Sequence, residues 1–203
     1  VAALGEMWMG GGKGYKDLVV VTLGTGVGGG VVIGGRLLTG FNFAGAEIGH
    51  FVMVQDGEPC SCGRKGCFEA YCSATALIRQ TRRAMEADPQ SLMWKLAEKL
   101  EDVTGRTAFD AMEQGDETAK NVVAQYIDYL ACGLTSIVNI FQPEVLCVGG
   151  GVCNQGERLL APVRAVFDRE DYARASARRT RIVRAQLGND AGIIGAALLP
   201  LYQ

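Results

Sequence analysis

Residues 17–38 read DLVVVTLGTGVGGGVVIGGRLL, and this stretch decides the fold prediction. Its first part, at 17–23, is β-branched and apolar, which predicts a buried strand. A glycine turn at 24–30 follows, and a second strand at 31–33 meets a third at 36–38 across a two-residue glycine turn typical of a β-hairpin. The stretch therefore predicts three consecutive antiparallel strands.

The rest of the chain is predicted to be mainly helical, with three further strands. The predicted elements are a helix at 1–9, a short strand at 50–54, helices at 73–87, 91–101, 107–114 and 117–141, a strand at 144–148, a helix at 155–167, a strand at 180–186 and a helix at 190–199. Strands first, then helices, then alternating strands and helices predict an α/β domain with a mixed sheet.

Length and composition are those of an ordinary globular chain. Of its 203 residues, 48% are hydrophobic and 21% are charged, so it can bury a sizeable core without disulfides. The net charge is −2, and no apolar run reaches the roughly 18 residues of a membrane-spanning helix. We therefore expect neither a membrane nor a nucleic acid as a partner. The arginine-rich segment at 164–184 has few aromatic residues and is interpreted as a solvated surface.

The cysteines are concentrated in one short window. Three of the seven, Cys60, Cys62 and Cys67, lie within eight positions, and His50 precedes them. Three thiols and one imidazole match the ligand set of a tetrahedral structural zinc ion, and the glycines between them allow a short loop to wrap around it. An iron–sulfur cluster would lack its usual four-cysteine spacing. A set of reduced, metal-free thiols is the other alternative.

The glycines at 24–29 fit the pattern G-x-G-x-x-G of dinucleotide-binding proteins. That pattern must open a helix, whereas a β-hairpin follows here, and no G-K-[ST] closes a Walker A loop. Two interpretations remain. Either the N–H groups of the turn and the Thr25 hydroxyl cradle a phosphate, or the turn is a hairpin without a ligand.

Two further features are candidates for binding. Gly149, Gly150 and Gly151 follow a predicted strand, and ligands of open α/β sheets sit where strands end. They therefore either contact a nucleotide or form a plain turn. Glu47 and Glu69 flank the cysteine window, and they either converge on one polar ligand or face solvent.

Four blocks of sequence, in order, resemble the ROK family of bacterial sugar kinases and sugar-responsive repressors. The blocks are LGTGVGGG at 23–30, AEIGH at 46–50, CSCGRKGCFE at 60–69 and GNDAGIIGA at 188–196. The resemblance runs over essentially the whole chain. It implies the actin-like ATPase (ribonuclease H-like) fold, an α/β architecture with a mixed sheet, helices and a zinc loop.

The resemblance also implies roles for residues at the matching positions. A structural zinc ion would be held by His50, Cys60, Cys62 and Cys67. The hydroxyls of a sugar would be received by Glu47, His50 and Glu69. The phosphates of ATP would contact Gly24, Thr25 and Gly26, and its adenosine would contact Gly149, Gly150 and Gly151. The implied reaction is phosphoryl transfer from ATP, with Mg²⁺, to a hexose hydroxyl.

Two parts of the family pattern are missing from this sequence. The catalytic Asp and the first phosphate loop, which binds Mg²⁺, would precede Val1. We therefore expect a fragment, inactive by itself: the large C-terminal lobe at 1–189, with the zinc loop at 50–67, and a C-terminal helix at 190–203 that packs on an N-terminal lobe.

The resulting expectation is a cytoplasmic glucokinase of glycolysis, which converts glucose to glucose 6-phosphate as a homodimer or larger homo-oligomer. The alternatives are a sugar-responsive repressor of the same family and a non-catalytic, zinc-stabilised sugar-binding module. Retention of LGTGVGGG at 23–30 favours the kinase, because a repressor has no need of a phosphate turn.

Overall fold

A computed structural model describes residues 1–202 of the chain. Its strands are β1 (Leu18–Leu23), β2 (Val27–Ile33), β3 (Arg36–Leu37), β4 (Val145–Gly149) and β5 (Arg181–Arg184). They form one sheet in the order β3-β2-β1-β4-β5, in which the first three strands are antiparallel and β4 and β5 run parallel to β1. The predicted α/β class and mixed sheet are confirmed.

Helices make up most of the remaining chain. Within residues 1–202 they are α1 (Ala2–Met9), α2 (Glu69–Cys72), α3 (Ala74–Ala87), α4 (Met93–Leu96), α5 (Thr107–Glu113), α6 (Glu117–Phe141), α7 (Glu157–Glu170) and α8 (Asp190–Leu198). Single 3-10 turns lie at Ile48–His50, Leu100–Asp102, Gly151–Gln155 and Leu199–Leu201. None of these helices is long and apolar enough to cross a membrane.

Side-chain alternation along β1 divides the core into two parts. Val19, Val21 and Leu23 face the larger part, which α3, α5, α6 and α7 cover. Leu18 and Val20 face the smaller part, which is covered by α1. The sheet is therefore buried on both faces at its centre, and its three parallel strands β1, β4 and β5 have their carboxyl ends on the same side.

The predicted glycine turn at 24–30 is wrong in its second half. The turn ends at Gly26, and Gly28, Gly29 and Gly30 are part of β2. These glycines serve close packing instead, because a Cβ at Gly29 would overlap Ile48 and one at Gly30 would lie 2.7 Å from the Cβ of Ala3.

Two other predicted elements differ from the structure. Residues 50–54 form no strand; only Val52 makes an isolated bridge, to Cys67. The helix predicted at 91–101 is broken into α4 and a 3-10 turn. The Asp116 carboxylate binds the start of this segment through the Leu92 N–H, but Ala97 is extended and ends α4 at Leu96. The Arg82 side chain then binds the Leu100 carbonyl in the turn that follows.

The C-terminal helix α8 packs on α1. A Cβ at Gly5 would overlap the carbonyl oxygen of Ala191, and one at Gly195 would overlap that of Val1, so the two helices touch at their glycines. The opposite side of α8 is open, with Ile193 73% exposed. Packing of this helix on an N-terminal lobe stays a prediction.

Candidate functional site

Both glycine turns lie at one edge of the sheet. β1 and β4 are parallel neighbours, with Thr22 paired to Gly149, so the turns that follow them leave the sheet side by side. Gly150 has a φ of +89°, and a Cβ there would overlap the backbone of Leu23. A residue with a side chain would be strained in conformation and would also clash. The structure thus brings Gly24–Gly26 next to Gly149–Gly151.

The first turn is firmly held but keeps two backbone donors free. The Gly24 N–H donates to the Gly26 carbonyl at 2.9 Å, which closes the turn. The Gly24 carbonyl accepts the Ala74 N–H, and the Thr25 carbonyl accepts the Thr75 hydroxyl, both at 2.8 Å. Among the residues that the structure describes, the N–H groups of Thr25 and Gly26 have no acceptor. Adjacent free N–H groups in a turn form a concavity that suits an anion such as phosphate.

A cavity of about 440 Å³ adjoins the second turn. Its lining includes Thr22, the turn Gly149–Gly151, Asn154, Arg184 and Asn189. The Arg184 guanidinium donates to the Asn154 Oδ1 at 3.3 Å, so two elements of the wall are joined. The cavity has the size and the position, at the carboxyl ends of strands, of a small-molecule site in an α/β sheet.

A second cavity lies elsewhere, between α3 and α6. It is larger, at about 520 Å³, but none of the predicted site residues line it. Its charged residues are Arg79 and Arg83, which both pair with Glu58, and Asp88, so the cavity carries charges of both signs in equal number. We therefore place the candidate site at the glycine turns.

The cysteine loop is folded by its own backbone. Gly63 and Gly66 have φ of +86° and +77°, which reverses the chain twice. The Cys60 N–H donates to the Arg64 carbonyl at 2.9 Å, and the Gly66 N–H donates to the Glu58 carbonyl at 2.8 Å. These turns bring thiols from both ends of the loop to one point.

The loop gathers His50, Cys60, Cys62 and Cys67, whose ligand atoms all lie within 4.8 Å of one another. The His50 Nδ1 lies 3.6 Å from the Cys60 Sγ, and the Sγ atoms of Cys62 and Cys67 are 3.7 Å apart. A tetrahedral zinc ion, with bonds of about 2.3 Å to sulfur and about 2.0 Å to nitrogen, requires edges of about 3.8 and 3.5 Å. The donor set and these two spacings therefore fit zinc.

The electrostatics of the thiols also favour a cation. Burial raises the pKa of the Cys67 thiol to about 12, and the adjacent Cys62 and Cys60 add to this rise. A hydrogen bond from the backbone of Arg64 instead lowers the pKa of Cys62, which is exposed. Because a thiol must lose its proton to bind a metal, a divalent cation would supply the charge that makes a buried thiolate stable here.

Glu69 connects this cluster to the first glycine turn. Its Oε2 accepts the Val27 N–H at 2.9 Å, and its Oε1 accepts the Ser61 hydroxyl at 2.7 Å. Burial would raise the pKa of Glu69, but the hydrogen bonds from Ser61 and Val27, with the nearby His50, hold this pKa below its usual value. A Cβ at Gly26 would overlap the Glu69 carboxylate, so glycine is what allows this approach.

The other two predicted sugar-binding residues lie on the 3-10 turn Ile48–His50. Glu47 stands at the start of the turn, is exposed, and makes no capping hydrogen bond with its side chain. His50 ends the turn and directs Nδ1 toward Cys60, which leaves Nε2 available to a further partner. His50 and Glu69 are therefore brought together at the cluster, and Glu47 is placed three residues away along the chain.

Glu6 is a site residue that sequence reasoning missed. It is 1% exposed and lines the cavity of about 440 Å³. Its carboxylate accepts the N–H groups of Gly11 at 2.7 Å, Gln186 at 3.0 Å and Leu187 at 2.9 Å. These bonds join the end of α1 to the segment that leads into α8. The signal in the sequence is a single charge within the otherwise apolar helix AALGEMWM.

Comparisons with known proteins agree with this arrangement. The ROK family profile matches residues 1–202. The glucokinase of Thermotoga maritima is 43% identical over 195 residues, which cover 96% of this chain and 61% of that protein. The crystal structure of a ROK family glucokinase from Streptomyces griseus, in complex with glucose and AMPPNP, is similar with a TM-score of 0.88 and 36% identity, covering 98% of this chain and 64% of that one. The predicted actin-like ATPase fold is confirmed by this likeness.

A repressor is also similar, but over less of its length. The xylose repressor of Caldicellulosiruptor bescii is 27% identical over 172 residues, covering 84% of this chain and 42% of that protein. The chain spans less than two thirds of the length of the two glucokinases above.

Proposed function

Because the chain belongs to the ROK family, we propose that it is the large lobe of an ATP-dependent hexose kinase whose acceptor is glucose. In this proposal residues 1–189 form the lobe, and the helix at 190–203 packs on an N-terminal lobe of the whole protein. The whole protein acts in the cytoplasm as a homodimer or larger homo-oligomer.

The proposal rests mainly on one observation, the position of the Glu69 carboxylate. The Glu69 carboxylate touches the metal-binding loop through Ser61 and the first glycine turn through Val27. A sugar held at Glu69 and a phosphate held at the turn would therefore be neighbours. Phosphoryl transfer depends mainly on this kind of positioning and on stabilising charge.

The nucleotide is assigned to the two glycine turns. The phosphates of ATP are held at Gly24, Thr25 and Gly26, where two N–H groups are free. The adenosine lies in the cavity beside Gly149, Gly150 and Gly151. Support comes from the parallel pairing of β1 and β4, which directs both turns to the same edge of the sheet.

The sugar is assigned to Glu47, His50 and Glu69. Carboxylates accept hydrogen bonds from hydroxyls, and these charge-assisted bonds are stronger than neutral ones. A zinc ion would be held by His50, Cys60, Cys62 and Cys67 and would supply structural rigidity to the loop. His50 would contribute Nδ1 to the metal, which would orient the ring so that Nε2 donates a hydrogen bond to the sugar.

The remaining parts of the reaction are assigned to the N-terminal lobe. Phosphoryl transfer needs a carboxylate that accepts the proton of the attacking hydroxyl, and residues that hold Mg²⁺ on the phosphates. In this proposal both come from the N-terminal lobe, and residues 1–203 contribute the phosphate turn, the adenosine cavity and the sugar-binding carboxylates.

A sugar-responsive repressor is the second candidate, since a xylose repressor is among the relatives. The free N–H groups of Thr25 and Gly26 favour the kinase, because sensing a sugar does not require an anion-binding turn. The third candidate, a sugar-binding module without catalysis, would also leave this turn without use.

The proposal is tested by incubating the full-length protein with ATP, Mg²⁺ and one sugar at a time, and detecting the sugar phosphate by mass spectrometry. Glucose, mannose, fructose, allose and N-acetylmannosamine form the panel. We expect glucose 6-phosphate at the highest rate. Phosphorylation of another hexose in preference would correct the substrate, and no sugar phosphate from any of the five would refute the kinase.

A further inference from the structure

Thr75 has no part in the function proposed above, yet its side chain contacts the phosphate turn. It is the second residue of α3 and is exposed. Its hydroxyl donates to the Thr25 carbonyl at 2.8 Å, although 50 positions separate the two residues. The bond is therefore a tertiary contact between the start of α3 and the turn.

The carbonyl that Thr75 binds shares a peptide unit with one of the free N–H groups. The peptide bonds of residues 1–202 are trans, and in a trans peptide the C=O and N–H point in opposite directions. A hydrogen bond that fixes the Thr25 carbonyl toward α3 thus fixes the Gly26 N–H away from α3. In the same way the Ala74 N–H, bound to the Gly24 carbonyl, fixes the direction of the Thr25 N–H.

The residues that donate these two hydrogen bonds lie on the segment that directly follows the metal-binding loop. Glu69, two residues after Cys67, binds the Val27 N–H and begins α2, which is separated from α3 by one residue. The segment at 67–75 therefore contacts the turn at three successive peptide groups, from the Gly24 carbonyl to the Val27 N–H.

We propose that Thr75 is a positioning residue for nucleotide phosphate: through the Thr25 carbonyl, its hydroxyl holds the Gly26 N–H in the direction from which it donates to a phosphate oxygen. The inference rests on the proposed function, since it takes the bound anion to be a phosphate of ATP. It identifies a residue outside the turn that sets the direction of an N–H group that binds phosphate.

The test compares Thr75→Val, which keeps the branched shape but loses the hydroxyl, with Thr75→Ser, which keeps the hydroxyl. Both are made in the full-length protein. Binding of ADP and of adenosine is measured by calorimetry, and kcat and KM are measured for ATP and glucose. Thr118→Val is a matched control, because Thr118 is also the second residue of a helix and its hydroxyl bonds to Asp88, away from the turn.

We expect Thr75→Val to weaken ADP binding and to lower kcat/KM for ATP by about threefold to tenfold, the loss that one hydrogen bond produces. Adenosine affinity, the KM for glucose, zinc content and the thermal midpoint should stay at wild-type values. Thr75→Ser should restore ADP binding, and Thr118→Val should leave it unchanged.

Equal ADP affinity in Thr75→Val and wild type would overturn the inference, as would a parallel loss of adenosine affinity. The binding measurements do not depend on turnover. A wild-type protein that phosphorylates no hexose but binds ADP in a Thr75-dependent way would refute the proposed function and leave this inference standing.

Discussion

The carboxylate of Glu69 accepts the N–H of Val27 at 2.9 Å across 42 positions of sequence. Val27 is the first residue after the turn Gly24–Gly26, and Glu69 is the second residue after Cys67. One hydrogen bond therefore joins a loop with four metal donors to a turn with two free N–H groups. Loss of the metal is therefore expected to alter the conformation of the phosphate turn through this hydrogen bond.

The first prediction concerns the metal. Metal-replete protein should contain one zinc per chain, and Cys67→Ser should lose it, because a serine hydroxyl is a poor zinc ligand. Binding energy in such sites is folding energy of order 10 kcal/mol, so the variant should also unfold at a lower temperature. Cys132→Ser is the control, since Cys132 is exposed on α6 and outside the cluster. Elemental analysis with less than half an equivalent of zinc in the wild type would refute the site.

The second prediction separates the two carboxylates. Glu47→Ala should raise the KM for glucose by about tenfold or more and leave the KM for ATP unchanged, since it removes charge-assisted hydrogen bonds to the sugar alone. Glu69→Ala should raise both, because Glu69 also binds Val27 beside the phosphate turn. Steady-state kinetics with each substrate varied checks this, with exposed Glu86→Ala as the control. A Glu47→Ala enzyme with unchanged glucose KM would show that Glu47 does not bind the sugar.

The third prediction concerns pH and Asp116, which caps α6. Burial would raise the pKa of Asp116, but hydrogen bonds from the Ala119 N–H, the Ser91 hydroxyl and the Leu92 N–H outweigh burial and lower it. A folded-state pKa below the unfolded one gives stability that is present above the unfolded pKa and is lost as the pH falls through the folded pKa.

Asp116→Asn should therefore lower the free energy of unfolding by about 1–2 kcal/mol at pH 7, because hydrogen bonds to a charged acceptor are lost, and by less below about pH 4. Urea unfolding of both proteins at pH 7, 5 and 3, in the same metal state, measures the difference. Asp128→Asn, at an exposed position of α6, should change little. If Asp116→Asn lowers the free energy of unfolding by the same amount at pH 3 and pH 7, the charge of Asp116 is not what stabilises its contacts with Ala119, Ser91 and Leu92.

The fourth prediction concerns the open side of α8. Ile193 and Leu201 are each 73% exposed, and burying a large aliphatic side chain stabilises a protein by about 1.5–3 kcal/mol. An N-terminal lobe should cover them. Amide hydrogen exchange at residues 191–201 should be slower in the full-length protein than in the isolated chain 1–203. Equal exchange in a monomeric isolated chain would mean that α8 packs only on α1.

Local patterns explain what could be predicted from the sequence. The strands and turns at 17–38 follow from apolar, β-branched runs separated by glycines, and the His50 and Cys60–Cys67 pattern follows from ligand spacing within one short loop. Both are properties of neighbouring residues. The position of Glu69 beside the cluster could be predicted for the same reason, because it is only two residues after the last cysteine.

Contacts between distant segments explain what could not be predicted. The helix expected at 91–101 ends at Leu96, and the 3-10 turn that replaces its second half is bound at the Leu100 carbonyl by Arg82 of α3. Gly29 belongs to a strand because it pairs with Val21 of β1, and the packing of Ile48 against it leaves no room for a side chain. The contacts of Thr75 with Thr25 and of Glu6 with Leu187 also join segments that only the folded chain brings together.

The central claim is that this chain is one lobe of a hexose kinase. Its most direct test is ATP-dependent formation of glucose 6-phosphate by two purified proteins, the chain 1–203 alone and the same chain with its N-terminal lobe. We predict no turnover by the chain alone, because the proposal assigns the proton-accepting carboxylate and the Mg²⁺-binding residues to the N-terminal lobe, and turnover by the two-lobe protein. Turnover by the chain alone, above a mock-purified control, would contradict the assignment of the catalytic base to the other lobe. An inactive two-lobe protein with zinc bound would contradict the kinase itself.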